Sequence, residues 1–536
     1  MSISIATTQP LVRRRSFVRW PLLVALLLAL LTTLPYVYAA LTTPAGRVYT
    51  GLMLGVPDTL QYFSWLRDHH TSLLVPNRMT AQPNEPALFN LLWLVLGQLQ
   101  RFTGWSNAAI LQVLRLLGGV AFAWTTWWFY SLTARSDRTR GWAWAIAMCG
   151  GGLGVVWVIE KYLRDLPDVR YPFDLYVAEP NTVLSLLGLP HFLVAGALMV
   201  AIFAAALRTV RGGWRWWLLA AVCGLVLSLQ HAYDLLTLAA VFGLWIGLIT
   251  LQQRAIPWRI VGGAALVGVV ASPPAAYFTW LTSRDPLWRA VLSQFSNAGV
   301  WTPNPPHLLI LLGVPLVLAL IGLWGVRRLR DRSDGELLVY AWVIAGLALI
   351  YLPVNFQIHL LNPLQVPLAL VAVWAIERQI GPWIGRRWPQ AQRWMLPIVL
   401  LLTLPTNLYL ISWRFIELAR HDRPYFLHSD EHAALGWLAA HTDRDDVVLS
   451  DLDLGQFVAA DTNARAVLAH WAQTVDFYTT RTAVDRALDP ITPADQRRAI
   501  LNRYNVSFVL ATDPIQDAAL DPVWQRAGAI VYEVGR

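Results

Sequence analysis

The chain has 536 residues, of which 56% are hydrophobic and only 14% are charged. Soluble domains carry about 25% charged residues, so the composition excludes an ordinary soluble protein and indicates one that crosses a membrane several times. The net charge is +9, but the arginines stand in short loops between apolar segments, which signals membrane topology and not a nucleic-acid partner.

The first apolar segment, 21–40, follows Arg13, Arg14, Arg15 and Arg19. Positive charge before a first span predicts a cytoplasmic N-terminus. No small-residue cleavage site follows the span, so we interpret it as a signal anchor that stays in the membrane. The next stretch, which we call the first loop (41–107), is then expected outside the cytoplasm.

Asp58 is the leading catalytic candidate in the first loop. It stands in VPDTLQYFSWLRD, where helical spacing places it on one side with Gln61, Tyr62 and Trp65. A carboxylate beside aromatic surface suits a catalytic role. The alternative is that Asp58 only caps the helix, since Asp is a common N-cap residue. Glu85 is a second acidic candidate for substrate binding, with a cap or an ion pair to Arg78 as its alternative roles.

Residues 86–100 are apolar but too few to cross a hydrocarbon core of about 30 Å, so we predict a helix on the outer face. Eleven spans are predicted in all: 21–40, 108–133, 141–160, 183–207, 215–230, 233–252, 259–280, 307–326, 337–353, 363–377 and 395–413. The loops at 135–140, 208–215, 252–259, 327–336 and 377–393 are then cytoplasmic, and all are rich in arginine. A crossing at 86–100 would invert every later loop and break this pattern.

Polar residues at the predicted outer ends of the spans are the remaining candidates, because such residues at a membrane boundary tend to be functional. An arginine there would suit a lipid phosphate. Helix caps, core histidines, polar turns or contacts with lipid headgroups are the alternative roles. The candidate substrate-binding residues in these later segments are Glu179, His191, His231, Asp234, Arg284, Gln357 and His359.

The tail, 421–536, differs from the membrane domain, 1–420. It alternates helix and short strand patterns, as in EHAALGWLAAH, DVVLSD, RAVLAH, VSFVLAT and AIVYEV. TPAD at 492–495 predicts a capping box that opens a helix. We therefore expect a small extracytoplasmic α/β domain after a polytopic α-helical membrane domain.

Other common chemistries have no motif in this sequence. There is no Walker loop, HExxH, G-x-S-x-G or cysteine-based metal set, and the two cysteines, Cys149 and Cys223, lie in apolar spans. The aspartates and histidines follow no metal-ligand spacing, so no cofactor is expected and a divalent metal is not indicated.

The whole pattern resembles the GT-C superfamily of integral-membrane glycosyltransferases that use polyprenyl-phosphate sugars. The features that carry the resemblance are the acidic residue soon after the first span and the C-terminal stretches HAALGWLAAHTDRDDVVLSD and NARAVLAHWAQTVDFYTTR. The EP and PHF segments around Glu179 and His191 are similar to those of a less characterised set of bacterial membrane proteins. The resemblance to GT-C enzymes implies a hexosyltransferase of the cell membrane in which Asp58 activates an acceptor hydroxyl for inverting displacement. Members often bind the donor phosphate through an arginine of the last outer loop, where this chain has Gln357 and His359.

Two other functions stay open at this stage. A transporter or flippase of a lipid-linked glycan would show internal repeats and charges at the bilayer midplane, and neither is evident. A non-catalytic scaffold of envelope assembly would use the tail as a docking module. The sequence identifies neither the sugar nor the acceptor.

Overall fold

The computed structural model describes residues 19–211, 213–294 and 301–535, so the predicted signal from Arg13, Arg14 and Arg15 lies outside the described residues. Helices form most of the described chain, with short 3₁₀ or π turns at Phe173–Leu175, Leu323–Asp331, Gln357–Leu361 and Ile376–Ile380. The helices are α1 (Arg19–Thr42), α2 (Val56–Asp68), α3 (Leu91–Thr103), α4 (Asn107–Thr133), α5 (Asp137–Cys149), α6 (Gly154–Leu163), α7 (Thr182–Gly188), α8 (His191–Arg211), α9 (Arg215–Ser228), α10 (Asp234–Gln253), α11 (Trp258–Arg284), α12 (Pro286–Gln294), α13 (Pro305–Gly322), α14 (Asp334–Leu349), α15 (Gln365–Ala375), α16 (Gly381–Gly385), α17 (Pro389–Thr403), α18 (Pro405–Leu418), α19 (Ser429–His441), α20 (Leu452–Asp461), α21 (Phe477–Leu488) and α22 (Ala494–Arg503).

Seven helical segments among the described residues are long and apolar enough to cross a membrane, and the bent pair α5 and α6 makes an eighth if it counts as one span. The sequence predicted eleven. The other predicted spans are shorter helices, such as α9 with 14 residues, α14 with 16 and α15 with 11. The polytopic helical fold is confirmed, whereas the count of eleven stays a prediction. The short helix α3 matches the stretch predicted not to cross.

The predicted span 183–207 is broken. Helix α7 ends at Gly188, and α8 begins at His191 directly after Pro190. Proline has no backbone N–H to continue the α7 ladder, but it is well suited to the start of the next helix. The break places His191 at the N-terminal end of α8, where it is available to a cavity instead of lying within a continuous span.

The centre of the bundle is α8, whose side chains from Val200 to Ala206 are buried against neighbouring helices. Tryptophans, which membrane proteins often place at the bilayer interface, also fill the core: Trp144, Trp217, Trp245, Trp342 and Trp374 are almost fully buried. By contrast, α1 exposes the leucines Leu23, Leu26 and Leu30. An outward apolar face of this kind is what a lipid-facing helix requires.

The predicted cytoplasmic loops meet at one end of the bundle. The buried carboxylate of Glu336 pairs there with Arg378 at 2.6 Å and with Arg135 at 2.9 Å. Helix α10 links the two ends, because it begins at Asp234 and its Gln252 amide contacts the carbonyl of Arg332 at 2.8 Å. The C-terminal domain lies at the other end. Which end faces the cytoplasm stays a prediction from the arginine pattern.

The tail contains a five-stranded sheet in the order β4 (Arg465–Ala466), β3 (Val447–Leu449), β5 (Phe508–Ala511), β7 (Ala529–Val534) and β6 (Leu520–Arg526). Its parallel β3 pairs with β4 and β5, and antiparallel β7 lies between β5 and β6. The expected capping box does not form, because α22 begins after Pro493 without a side-chain cap and the Thr492 hydroxyl donates to the Arg486 carbonyl. The strands of the chain are β1 (Arg47–Tyr49), β2 (Phe426–His428), β3 (Val447–Leu449), β4 (Arg465–Ala466), β5 (Phe508–Ala511), β6 (Leu520–Arg526) and β7 (Ala529–Val534).

The first loop is built into the C-terminal domain. Strand β1 pairs antiparallel with β2, and Val56, Leu60 and Phe63 of α2 share a buried cluster with Leu454 and Phe457. The domain that contains the sheet is therefore built from two distant parts of the sequence, the first loop near the N-terminus and the tail at the C-terminus. This packing fixes α2, and with it Asp58, against the tail.

A buried ion pair holds the same junction. The Arg78 guanidinium donates to both oxygens of Asp68, at 2.7 and 3.0 Å, and also to the Asn463 carbonyl of the C-terminal domain. The alternative role of Glu85 as partner of Arg78 is therefore wrong, since Glu85 lies exposed on the surface. Arg78 instead ties the first loop to the tail.

Candidate functional site

A cavity of about 530 Å³ lies where the helix bundle meets the C-terminal domain. Its walls come from α2, from residues 88–93, from the loop before α7, from the starts of α8 and α10, from the Gln357–Leu361 turn and from the C-terminal domain. The predicted site residues on its surface are Asp58, Glu179, His191, His231 and His359. Five candidates from separate stretches of the sequence thus share one chamber.

Asp58 lies in the first turn of α2. The N-cap position belongs to Gly55, whose φ of +59° favours glycine, and Pro57 occupies the first turn as well. Asp58 is therefore not the N-cap residue, although a carboxylate in the first turn is stabilised by the helix dipole. Its side chain is 42% exposed, and Oδ1 lies 3.1 Å from Nε2 of His470.

Glu179 and His359 form a close pair across the cavity wall. Oε1 of Glu179 lies 2.6 Å from Nδ1 of His359, and Glu179 is only 5% exposed. Burial lowers the pKa of His359, but the hydrogen bond and charge of Glu179, with the charges of Asp234 and Asp58, outweigh burial and raise it above the ordinary value. The pair therefore favours a positively charged imidazole at the cavity surface.

His231 is held by residues of its own turn. Its Nδ1 lies 3.2 Å from Oδ2 of Asp234, and its Nε2 lies 3.1 Å from the Tyr233 hydroxyl. Asp234 is fully buried and is not on the cavity surface. Asp234 was predicted to contact substrate, but it lies behind His231 and orients that ring instead.

One wall of the cavity is aromatic. Tyr62 and Trp93 stack with ring centroids 4.5 Å apart, and Trp65 lies 5.5 Å from Tyr62. The His191 ring lies 5.0 Å from Tyr62 and 5.5 Å from His231, so the aromatic wall continues into the histidines. Flat apolar rings beside hydrogen-bonding groups form a surface suited to a sugar ring.

Three predicted substrate contacts lie elsewhere. Glu85 is exposed on the first loop, and Arg284 is exposed at the C-terminal end of α11; neither is on the cavity surface. Gln357 accepts from the Thr302 backbone N–H at 3.0 Å and donates to the Leu352 carbonyl at 2.9 Å, so it secures a loop. The lining drawn from the described residues contains no arginine or lysine.

The sequence analysis missed the contribution of the C-terminal domain. His470, Trp471, Ala472 and Gln473 complete the cavity wall. A signal was present, since His470 ends the predicted strand RAVLAH and the run WAQ directly follows it, and residues of loops after strands frequently form sites. Within the described ranges, no group of three or more His, Cys, Asp or Glu residues could hold a metal ion.

Neither a protein-family model nor a curated protein matches this chain. Solved structures do match. The oligosaccharyltransferase AglB of Archaeoglobus fulgidus, in complex with an inhibitory peptide and a dolichol-phosphate, gives a TM-score of 0.53 at 12% identity, over 92% of this chain and 69% of AglB.

Two further structures align over almost the whole chain. ArnT of Cupriavidus metallidurans, bound to undecaprenyl phosphate, gives a TM-score of 0.53 at 13% identity and covers 97% of this chain and 98% of ArnT. The mycobacterial arabinofuranosyltransferase AftD gives 0.54 at 15% identity over 97% of this chain and 40% of AftD. The chain therefore shares the fold of these three solved structures, as the sequence led us to expect.

Proposed function

We propose that the protein is a membrane glycosyltransferase that moves a sugar, as a hexosyl group, from a polyprenyl-phosphate donor to an acceptor hydroxyl. The observation that carries the proposal is the shared cavity, which joins the half-exposed carboxylate of Asp58 to the imidazole of His359, whose charged form is favoured by Glu179. A base and a site for an anion are the two elements that this transfer requires. The lipid phosphates bound by AglB and ArnT support the choice of donor.

The reaction is a single displacement. The Asp58 carboxylate takes the proton of the acceptor hydroxyl while that oxygen attacks the anomeric carbon of the donor sugar. The bond between the anomeric carbon and the phosphate oxygen breaks, and the lipid phosphate leaves with the electron pair. Attack from the side opposite the phosphate inverts the anomeric centre.

His359 is the residue we assign to the leaving phosphate. Its imidazole lies at the cavity surface, and Glu179 favours its protonated form. The N-terminal ends of α8 and α10 add partial positive charge at His191 and Tyr233, which both line the cavity. Together these groups stabilise the charge that develops on the phosphate oxygen.

The aromatic wall supplies binding for the sugar. Tyr62 and Trp93 present stacked rings next to His191, and a pyranose can place its apolar C–H face on such rings while its hydroxyls reach the neighbouring polar groups. Orientation of the donor above Asp58 contributes to rate because it removes the entropy cost of aligning the reactants.

The test uses the full-length protein in sealed proteoliposomes with polyprenyl-phosphate hexose labelled in the sugar, together with an acceptor pool of envelope glycans, lipids and peptides. We expect transfer of label with release of polyprenyl phosphate. Asp58→Asn should reduce the rate by about 10²–10⁴-fold, the usual contribution of a general base. Glu85→Gln is the matched control, since Glu85 is exposed and away from the cavity.

The outcomes separate the enzyme from its alternatives. If Asp58→Asn transferred sugar at nearly the wild-type rate, Asp58 would be removed from the mechanism. If the label stayed on polyprenyl phosphate with each hexose donor and was instead carried across the bilayer, a flippase would replace the transferase. Binding of labelled donor with neither event would favour a scaffold.

A further inference from the structure

His470 connects the C-terminal domain to the catalytic candidate. It follows β4 at the end of the AVLAH run, and its side chain is only 2% exposed. Despite a separation of 412 residues, its Nε2 lies 3.1 Å from Oδ1 of Asp58. A buried ring that ends on a half-exposed carboxylate can restrain where that carboxylate points.

The ring's other nitrogen determines the tautomer. Nδ1 of His470 accepts a hydrogen bond from the backbone N–H of Ala472 at 3.0 Å. An imidazole nitrogen that accepts carries no proton, so the proton of the neutral ring is on Nε2. The bond to Asp58 therefore runs from Nε2–H of His470 to Oδ1. This arrangement leaves His470 no basic nitrogen for the acceptor, which separates its role from that of a general base.

The segment that carries His470 is fixed on both sides. The Thr474 hydroxyl accepts from the backbone N–H groups of Ala469 and His470, each at 3.1 Å, and donates to the carbonyl of Met79 at 2.6 Å. The Asn77 amide donates to the carbonyl of Gln473 at 3.0 Å. Met79 and Asn77 belong to the first loop, which also carries Asp58, so one framework sets the position of both partners.

We propose that His470 is a positioning residue for Asp58 and that the C-terminal domain is thereby an integral part of the active site. Nε2–H of His470 occupies Oδ1 and leaves Oδ2 of Asp58 for the proton of the acceptor hydroxyl. This inference rests on the proposed glycosyl transfer. It also predicts that the acceptor binds between α2 and the 470–473 segment, because Trp471 and Gln473 line the cavity beside this pair.

Two substitutions test the role. His470→Phe keeps a ring but removes the donor, and we expect kcat to fall about 100-fold, the scale of a misplaced catalytic group, with the KM for the lipid donor unchanged. His470→Gln places an amide N–H near the position of Nε2 and should restore most of kcat. The double variant Asp58→Asn/His470→Phe should be no slower than Asp58→Asn alone, because a positioning residue has nothing left to position.

A readout without activity keeps the inference separate from the proposed function. In NMR spectra of the protein labelled with ¹⁵N-histidine, the signal of His470 is identified by its absence from the His470→Gln variant. This signal should show the Nε2–H tautomer, and it should shift in Asp58→Asn. If the wild type showed this signature but transferred no sugar, only the proposed transferase function would be overturned. A wild type that transfers sugar, together with a His470→Phe variant of unchanged kcat and thermal midpoint, would overturn the positioning role. Equal loss of kcat in the Phe and Gln variants would overturn it as well.

Discussion

The pair of Glu179 and His359 gives the sharpest test of how the cavity handles a phosphate. The Glu179→Gln substitution keeps the size of the side chain and its ability to accept a hydrogen bond, but it removes the negative charge 2.6 Å from the imidazole. That charge offsets burial and raises the pKa of His359. Without it, the pKa of His359 falls and the imidazole becomes neutral over more of the pH range.

The effect on donor binding can be estimated from the lost charge. A hydrogen bond to a charged group contributes about 1.5–3 kcal/mol, and every 1.4 kcal/mol corresponds to about tenfold in affinity. We therefore expect the KM for the polyprenyl-phosphate donor to rise about 10- to 100-fold near neutral pH. We also expect kcat to fall, since the same cation stabilises the leaving phosphate.

The pH dependence has a definite sign. A histidine pKa that is raised in the folded protein favours the cation, so donor binding is retained below that pKa and is lost as the pH rises through it. In Glu179→Gln the loss should begin at lower pH. By linkage, the pair stabilises the folded state fully below the ordinary histidine pKa of about 6.5, and this contribution disappears as the pH rises through the pKa of His359 in the folded protein.

The assay is the KM for labelled donor, measured between about pH 5.5 and pH 9, with thermal unfolding recorded in the same buffers. Glu160→Gln is the matched control, because Glu160 pairs with Arg164 on the surface and is half exposed. An alkaline limb at the same pH in wild type and Glu179→Gln would refute the assignment of His359 to the phosphate.

Two stability predictions concern the parts that hold the site. Arg78→Met removes the partner of the buried Asp68 carboxylate and should lower the free energy of unfolding by about 3–5 kcal/mol. We expect a lower thermal midpoint and faster proteolysis of the first loop than in the control variant Arg498→Met, whose arginine is exposed. Equal midpoints in the two variants would count against the structural role of Arg78. Glu336→Gln removes the partner of Arg378 at the opposite end of the bundle and should lower stability by about 1.5–3 kcal/mol while the KM for donor stays the same; an altered KM would contradict the separation of the two ends.

Much of the fold was predictable because it depends on local patterns. Apolar runs and short tail segments identified a helical membrane domain followed by an α/β domain, since the periodicity of burial is written along each element. The length of each span was less predictable. Pro190 interrupts a run that is mostly apolar, and α15 (Gln365–Ala375) is shorter than the predicted span 363–377. Hydropathy shows that a segment is apolar, but a segment that packs against other helices is as apolar as one that faces lipid.

The site was predictable only in part. Asp58 was identified by its place after the first span, and Glu179 and His359 by their polarity at the ends of apolar runs. Asp234 and Gln357 were chosen for the same polarity, yet they secure His231 and a loop. A polar residue at the end of a span looks the same in sequence whether its side chain meets a ligand or a neighbour in the protein.

By itself, the sequence determined the class of the protein, the helical and mixed domains and the candidate base, because composition and periodicity are properties of neighbouring residues. Only the tertiary structure decided that His470 reaches Asp58 across 412 residues and that Glu179 meets His359 across 180. Such pairs depend on how the first loop, the bundle and the tail pack together. The free energy of that packing is spread over many buried contacts, and no short motif encodes it.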